Sequence, residues 1–289
     1  MDPRQIVSQL IRGDITEFKS DTIHDVLVVA EQALGEGHHD MVDKLSIQLN
    51  EIELEILNFR RAQLSNDSEL AQECLTRALK ISRGGEHRDQ ILEARIRMEW
   101  GLLRASLGQF IEAGIDLKWA MERLGALSEG HRWHGLSMLN MAEWHRTRGE
   151  LGMALAIHSG ISRQGPHLIE IISISRRNAA ELLVEKDHIY SAIRNLWIAH
   201  HGFRQTNMES EAIDAGLHWI DLGLTEISKD APTMDSAIHN ASPRSAGDPK
   251  QRVWIHPDDL DTMCKWIEPL VEDELGLKVL DDATQAIQS

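Results

Sequence analysis

Residues 107–122 read LGQFIEAGIDLKWAME. Gly108, Gln109 and Phe110 form a corner. Ala113, Leu117 and Ala120 then recur at spacings of four and three, which places them on one face of a helix. Two small residues flanking a leucine leave that face shallow, so a neighbouring helix can cross close to the backbone. Before the corner, ILEARIRMEWGLLRASL (91–107) places Ile91, Leu92, Ile96, Trp100, Leu103 and Leu107 at helical spacing, with Gly101 small. The stretch therefore predicts the inner corner of a hairpin of two antiparallel helices.

The same arrangement recurs outward from that corner. Asn66-Asp67 precedes Ala71, Leu75 and Ala78; Gly149-Glu150 precedes Ala154, His158 and Ile161; Asp187-His188 precedes Ala192, Leu196 and Ala199. The leading alanines, Ala71, Ala113, Ala154 and Ala192, are 42, 41 and 38 residues apart. Small residues also stand before three of the turns, at Gly101, Ala142 and Ala180. Helices are predicted over 3–11, 21–34, 39–64, 67–82, 87–107, 110–127, 131–147, 150–162, 167–185, 188–203 and 208–228, and then over 257–275 behind Pro257, which suits a first helical turn. No alternating strand or Asn-Gly hairpin interrupts them.

This pattern resembles the tetratricopeptide repeat family. Trp100-Gly101 matches that family's large-then-small pair, Gly108 and Phe110 its turn, and Ala113 and Ala120 its two alanines seven apart. The spacing exceeds the family's period of about 34, so the resemblance is to an extended form. Phe59 stands where the first unit would have a small residue, and His158 and Ile161 replace the usual pair in the third. The resemblance implies an all-α fold, a right-handed α-α superhelical solenoid of antiparallel helix pairs with a repeat length of about 40. The expected organisation is N-terminal helices at 1–50, a repeat solenoid with a capping helix at 51–228, a flexible linker at 229–256 rich in Pro, Ser, Gly and Asp, and a C-terminal amphipathic helix with a tail at 257–289.

Such solenoids bind proteins or peptides in the groove lined by the first helix of each pair. The resemblance puts Ile56, Arg60, Gln63, Arg95, Met98, Leu102, Leu139, Asn140, Glu143, Arg146, Arg177, Asn178 and Glu181 on that groove. The polar members suit a peptide with charged and apolar anchors, or alternatively pair with one another within the groove. The expected function is a protein- or peptide-binding adaptor or scaffold. The alternatives are a regulatory sensor of a small signal peptide or ligand and, last, a metal-dependent helical enzyme.

Composition bounds the partners. The chain has 289 residues and a net charge of −16, which repels phosphate backbones, so a nucleic-acid partner is not expected. No apolar run approaches the ~20 residues that span a bilayer, so no membrane partner is expected either. The start, MDPRQIVSQLIRGD, lacks the layout of a signal peptide, and the two cysteines are far apart, which together point to the cytoplasm. Fifteen histidines raise the question of a metal. His38-His39-Asp40, His131/His134, His200-His201 and His167/Glu170 each offer two or three donors without the set a zinc site needs. Nucleophile elbows and phosphate loops are missing from the sequence. Neither a cofactor, a metal nor a catalytic residue is therefore expected.

Overall fold

A computed structural model describes residues 3–20, 24–84, 88–239, 241–245 and 251–288. The described residues are helical, apart from turns, loops and one isolated parallel bridge, Ile227 with Ile255. Their contacts divide the chain into two compact units, Met1–Ser128 and Glu129–Ser289.

The first unit holds α1 (Pro3–Arg12), α2 (Asp25–Gly35), α3 (His39–Ser46), α4 (Glu51–Leu64), α5 (Ser68–Arg83), α6 (Gln90–Ser106) and α7 (Phe110–Ser128). Successive helices pack on one another, most extensively α4 on α5 and α6 on α7, and α4 also touches α2 and α6. Gly101 sits where α6 crosses α7: a Cβ there would lie 2.6 Å from Leu117 Cγ and 3.1 Å from the Ala113 carbonyl. The small residue thus sets the approach of the two helices.

The second unit holds α8 (Arg132–Thr147), α9 (Leu151–Gly160), α10 (Ile169–Glu185), α11 (Ile189–Gln205), α12 (Glu209–Gly223), α13 (Met234–His239), α14 (Pro257–Ile267) and α15 (Glu274–Gln288). α8 pairs with α9, α10 with α11, and α11 with α12; α8 and α10 also touch. α14 and α15 pack on α12 and on each other, burying Leu260, Met263, Ile267, Leu280 and Ala283.

One turn is used repeatedly. At Gly37, Asn66, Gly108, Gly149, Asp187 and Asn207 the backbone enters the left-handed region, with φ between 54° and 79°. Each time, the following N–H reaches back five residues: His38 to the Ala33 carbonyl, Asp67 to Ala62, Gln109 to Arg104, Glu150 to His145, His188 to Leu183 and Met208 to Phe203, all at 2.8–3.0 Å. This is the Schellman closure, which satisfies carbonyls that the helix end would leave open. The leading alanines Ala71, Ala113, Ala154 and Ala192, which follow four of these turns, are all buried.

Several boundaries differ from the sequence expectation. The helix expected over 39–64 is broken at 47–50, because Asn50 caps α4: its side chain accepts from the Ile52 and Glu53 N–H groups while Glu53 accepts from the Asn50 N–H. The helix expected over 257–275 stops at Ile267, since Pro269 lacks the N–H a helix requires. The expected tail forms a helix of its own, α15, and the helix expected from 167 begins at Ile169. The segment expected as a linker at 229–256 carries α13, the Ile227–Ile255 bridge and buried Val253 and Ile255. The expected helix starts at 21 and 87 lie outside the described residues.

Candidate binding face

In the second unit, the expected groove residues fall on the neighbouring helices α8 and α10. Arg146 is the centre of the polar part. Its Nη1 lies 3.1 Å from Glu181 Oε2 and 3.6 Å from Glu143 Oε2, and its Nη2 lies 3.4 Å from Glu185 Oε1. Burial acts to lower the Arg146 pKa, but the three glutamates outweigh it and leave the guanidinium above its usual value. One cation thus serves three carboxylates, and the cluster keeps a surplus of negative charge. Glu143 and Glu185 are exposed; Asn140, Arg146, Asn178 and Glu181 are half-buried beside them. Leu139 is buried instead, in an apolar cluster with Ile171 and Ile172. Arg177 is half-buried, with its guanidinium 5.8 Å from the Phe203 ring centre.

The first unit disposes of its expected groove residues differently. Ile56 and Met98 are buried, and Arg95 is only 2% exposed. Arg95 pairs with Glu99 on its own helix and, at 3.0 Å, with Glu31 of α2. Arg60 joins the same network, 2.7 Å from Glu99, 3.2 Å from Glu31 and 2.7 Å from Gln63. Arg95, Met98 and Ile56 therefore face other helices and present no surface to a ligand, contrary to the expectation. The reason is α2: an acidic residue at position 31 reaches both arginines. Glu99 stood four residues beyond Arg95 as a sequence signal of pairing; Glu31 carried no such signal. Arg60, Gln63 and Leu102 remain half-buried.

His24 ties the α2 N-terminus to two further helices. Its Nδ1–H donates to Glu53 Oε1 at 2.6 Å, and its Nε2 lies 3.4 Å from Asp89 Oδ2. Burial would lower its pKa, but the two carboxylates prevail and raise it.

A cleft of about 590 Å³ opens over α6, lined by Lys80, Arg83, Arg97, Trp100, Arg104 and Asp116 among others. Trp100 is half-buried there, with the Arg104 guanidinium 5.1 Å from its ring centre. Arg97 and Arg104 both pair with Asp116. Among the described residues, no three His, Cys, Asp or Glu side chains converge as metal ligands, and no helix is long and apolar enough to cross a membrane. Cys74 and Cys264 are buried free thiols.

No family model matches this chain, and no curated protein matches it.

Proposed function

We propose that the chain is a cytoplasmic adaptor, built as a right-handed solenoid of antiparallel helix pairs about 40 residues long and similar to tetratricopeptide repeats. Support comes from the Schellman turns at Asn66, Gly108, Gly149 and Asp187, which are 42, 41 and 38 residues apart. The adaptor binds a protein or peptide across α8 and α10, and no cofactor or catalytic residue enters this reading. The observation that carries it is the carboxylate surplus around Arg146, which favours a segment rich in lysine or arginine.

The test is fluorescence anisotropy with a labelled Lys/Arg-rich peptide against the full chain, beside the Glu143→Gln, Glu185→Gln double variant. Both side chains are exposed, so the variant keeps the wild-type melting temperature. The expected result is about five- to thirtyfold weaker binding and a flatter salt dependence, given about 0.5–1 kcal/mol for each of the two partly screened charge contacts. Equal affinity for both proteins, or no binding to either, refutes the basic-peptide reading.

A further inference from the structure

The second unit holds two arginines, one buried and one half-buried, whose partners, among the described residues, are all backbone carbonyls. Arg176 is 1% exposed. It donates from Nη2 to the carbonyls of His158, at 2.8 Å, and Ile161, and from Nη1 to the carbonyl of Arg244, at 2.8 Å. Its Nε–H has no acceptor among the described residues. Arg163, half-buried, donates from its backbone N–H to the Pro243 carbonyl at 3.0 Å and from Nη2 to the Ala241 carbonyl at 3.2 Å; its Nε–H has no acceptor there either. Neither guanidinium has a carboxylate partner among the described residues, in a chain of net charge −16. Carbonyls satisfy N–H groups but carry no formal charge, so the buried Arg176 cation remains uncompensated among the described residues. Burial, with Arg163 nearby, pulls the Arg176 pKa down to about 10.

Arg176 lines a cavity of about 290 Å³ between α9, α10 and α11. Leu155, Ala156, Ala179 and Leu183 give it apolar walls, and Arg244 and Ser245 also line it. His158, Ser159 and Ser191 line it too, and Asn195 contributes an unmatched acceptor: its Nδ2 donates to the Ser191 carbonyl at 2.8 Å, which fixes the amide, and its buried Oδ1 has no donor among the described residues. The cavity thus offers an unmatched positive charge, an orphan acceptor and an aliphatic surface. Its volume lies at the small end for ligand sites.

We propose that this cavity binds a small hydroxy-substituted aliphatic carboxylate. The carboxylate compensates Arg176 and takes its free Nε–H, the hydroxyl donates to Asn195 Oδ1, and the aliphatic body lies against Leu155, Ala179 and Leu183. An ammonium in place of the hydroxyl meets the like charges of Arg176 and Arg244, both of which line the cavity, so an amino acid of the same skeleton is disfavoured. The site is separate from the α8–α10 carboxylate cluster, so it stands or falls apart from the adaptor reading.

The test is isothermal titration of the full chain with 2-hydroxy-4-methylpentanoate, with leucine and inorganic phosphate titrated in parallel. The expected result is saturable binding of the hydroxy acid and at least about tenfold weaker binding of leucine and of phosphate. Ala156→Trp fills the cavity from an exposed position and leaves folding intact, and it is expected to abolish binding. Arg176→Met, similar in volume, is expected to do the same. If Arg176→Met does not fold, Ala156→Trp decides alone. Absence of hydroxy-acid binding, undiminished binding to Ala156→Trp, or phosphate binding as tight as the hydroxy acid overturns the proposal.

Discussion

Acid should weaken the second unit through two histidines buried in neutral form. His158 lies in α9, with Nδ1 3.1 Å from Ser175 Oγ and Arg176 close by. His200 lies in α11; its Nδ1–H donates to the Ala212 carbonyl at 2.8 Å, while its buried Nε2 has no partner among the described residues. Burial lowers both pKa values to about 4, helped at His158 by Arg176 and at His200 by His201 and Arg204. In the unfolded chain each titrates near 6.5. The folded value is the depressed one, so stability is full above pH 6.5 and falls as pH drops toward 4. At pH 5 an unfolded imidazole is almost fully protonated while the folded ones are largely neutral. The loss relative to pH 7 is then about 2 kcal/mol for each histidine and about 4 kcal/mol for both. The assay is denaturant unfolding at pH 7 and pH 5 of the wild type and of His158→Gln, His200→Gln. The amide introduced by His200→Gln keeps a donor for the Ala212 carbonyl, and other titrating groups cancel in the comparison. The double variant should lose about 4 kcal/mol less than the wild type between the two pH values. Equal losses refute the reasoning, as does an NMR titration placing either imidazole near 6.5.

The first unit should respond to pH in the opposite sense. The raised pKa of His24 makes its clamp on Glu53 and Asp89 strongest below the unfolded value near 6.5, and the contribution disappears as pH rises through the raised value. Hydrogen exchange in α2 should therefore speed up between pH 6 and pH 8 beyond the base-catalysed rate, and His24→Gln should remove that excess. The Schellman turns give a conformational test free of packing effects, because a Cβ at Gly149 would meet nothing within 4 Å. Gly149→Val should cost about 1–2 kcal/mol, whereas Asp187→Gly, at a φ of 58°, should gain up to about 1 kcal/mol in thermal unfolding.

The turns were the most legible part of the molecule. Gly108, Gly149, Asn66 and Asp187 are residues that accept a left-handed backbone, and each stood before a buried alanine, so chemistry and spacing agreed. Asn207 forms the same turn but came only 20 residues after Asp187, off the expected period. The break before α4 was also written in the sequence, as Asn50 with Glu53 three residues on, yet apolar periodicity runs through it and masked the cap. The binding face was less legible. Periodicity identifies which side of a helix is polar, but only tertiary structure shows whether a neighbour covers that side. Arg95 and Arg146 read alike in sequence: α2 encloses the first, whereas the second stays half-buried beside exposed glutamates.

The two fates of arginine also decide where ligands are to be sought. In the first unit, Arg60 and Arg95 share Glu31 and Glu99, so their charges are matched within the fold. Removing one partner there leaves a buried charge and should act on stability. In the second unit, Arg176 is as buried as Arg95 but, among the described residues, holds three carbonyls and no carboxylate. Such an arrangement is costly, because carbonyl dipoles compensate a buried cation only in part. An anion bound at Arg176 recovers that cost, which a matched pair such as Arg95–Glu99 has no means to do. Buried arginine without buried carboxylate therefore marks a ligand site more sharply than an exposed polar helix face does. By that criterion the cavity beside Arg176, rather than the Arg60–Arg95 network, is the place where binding energy is stored.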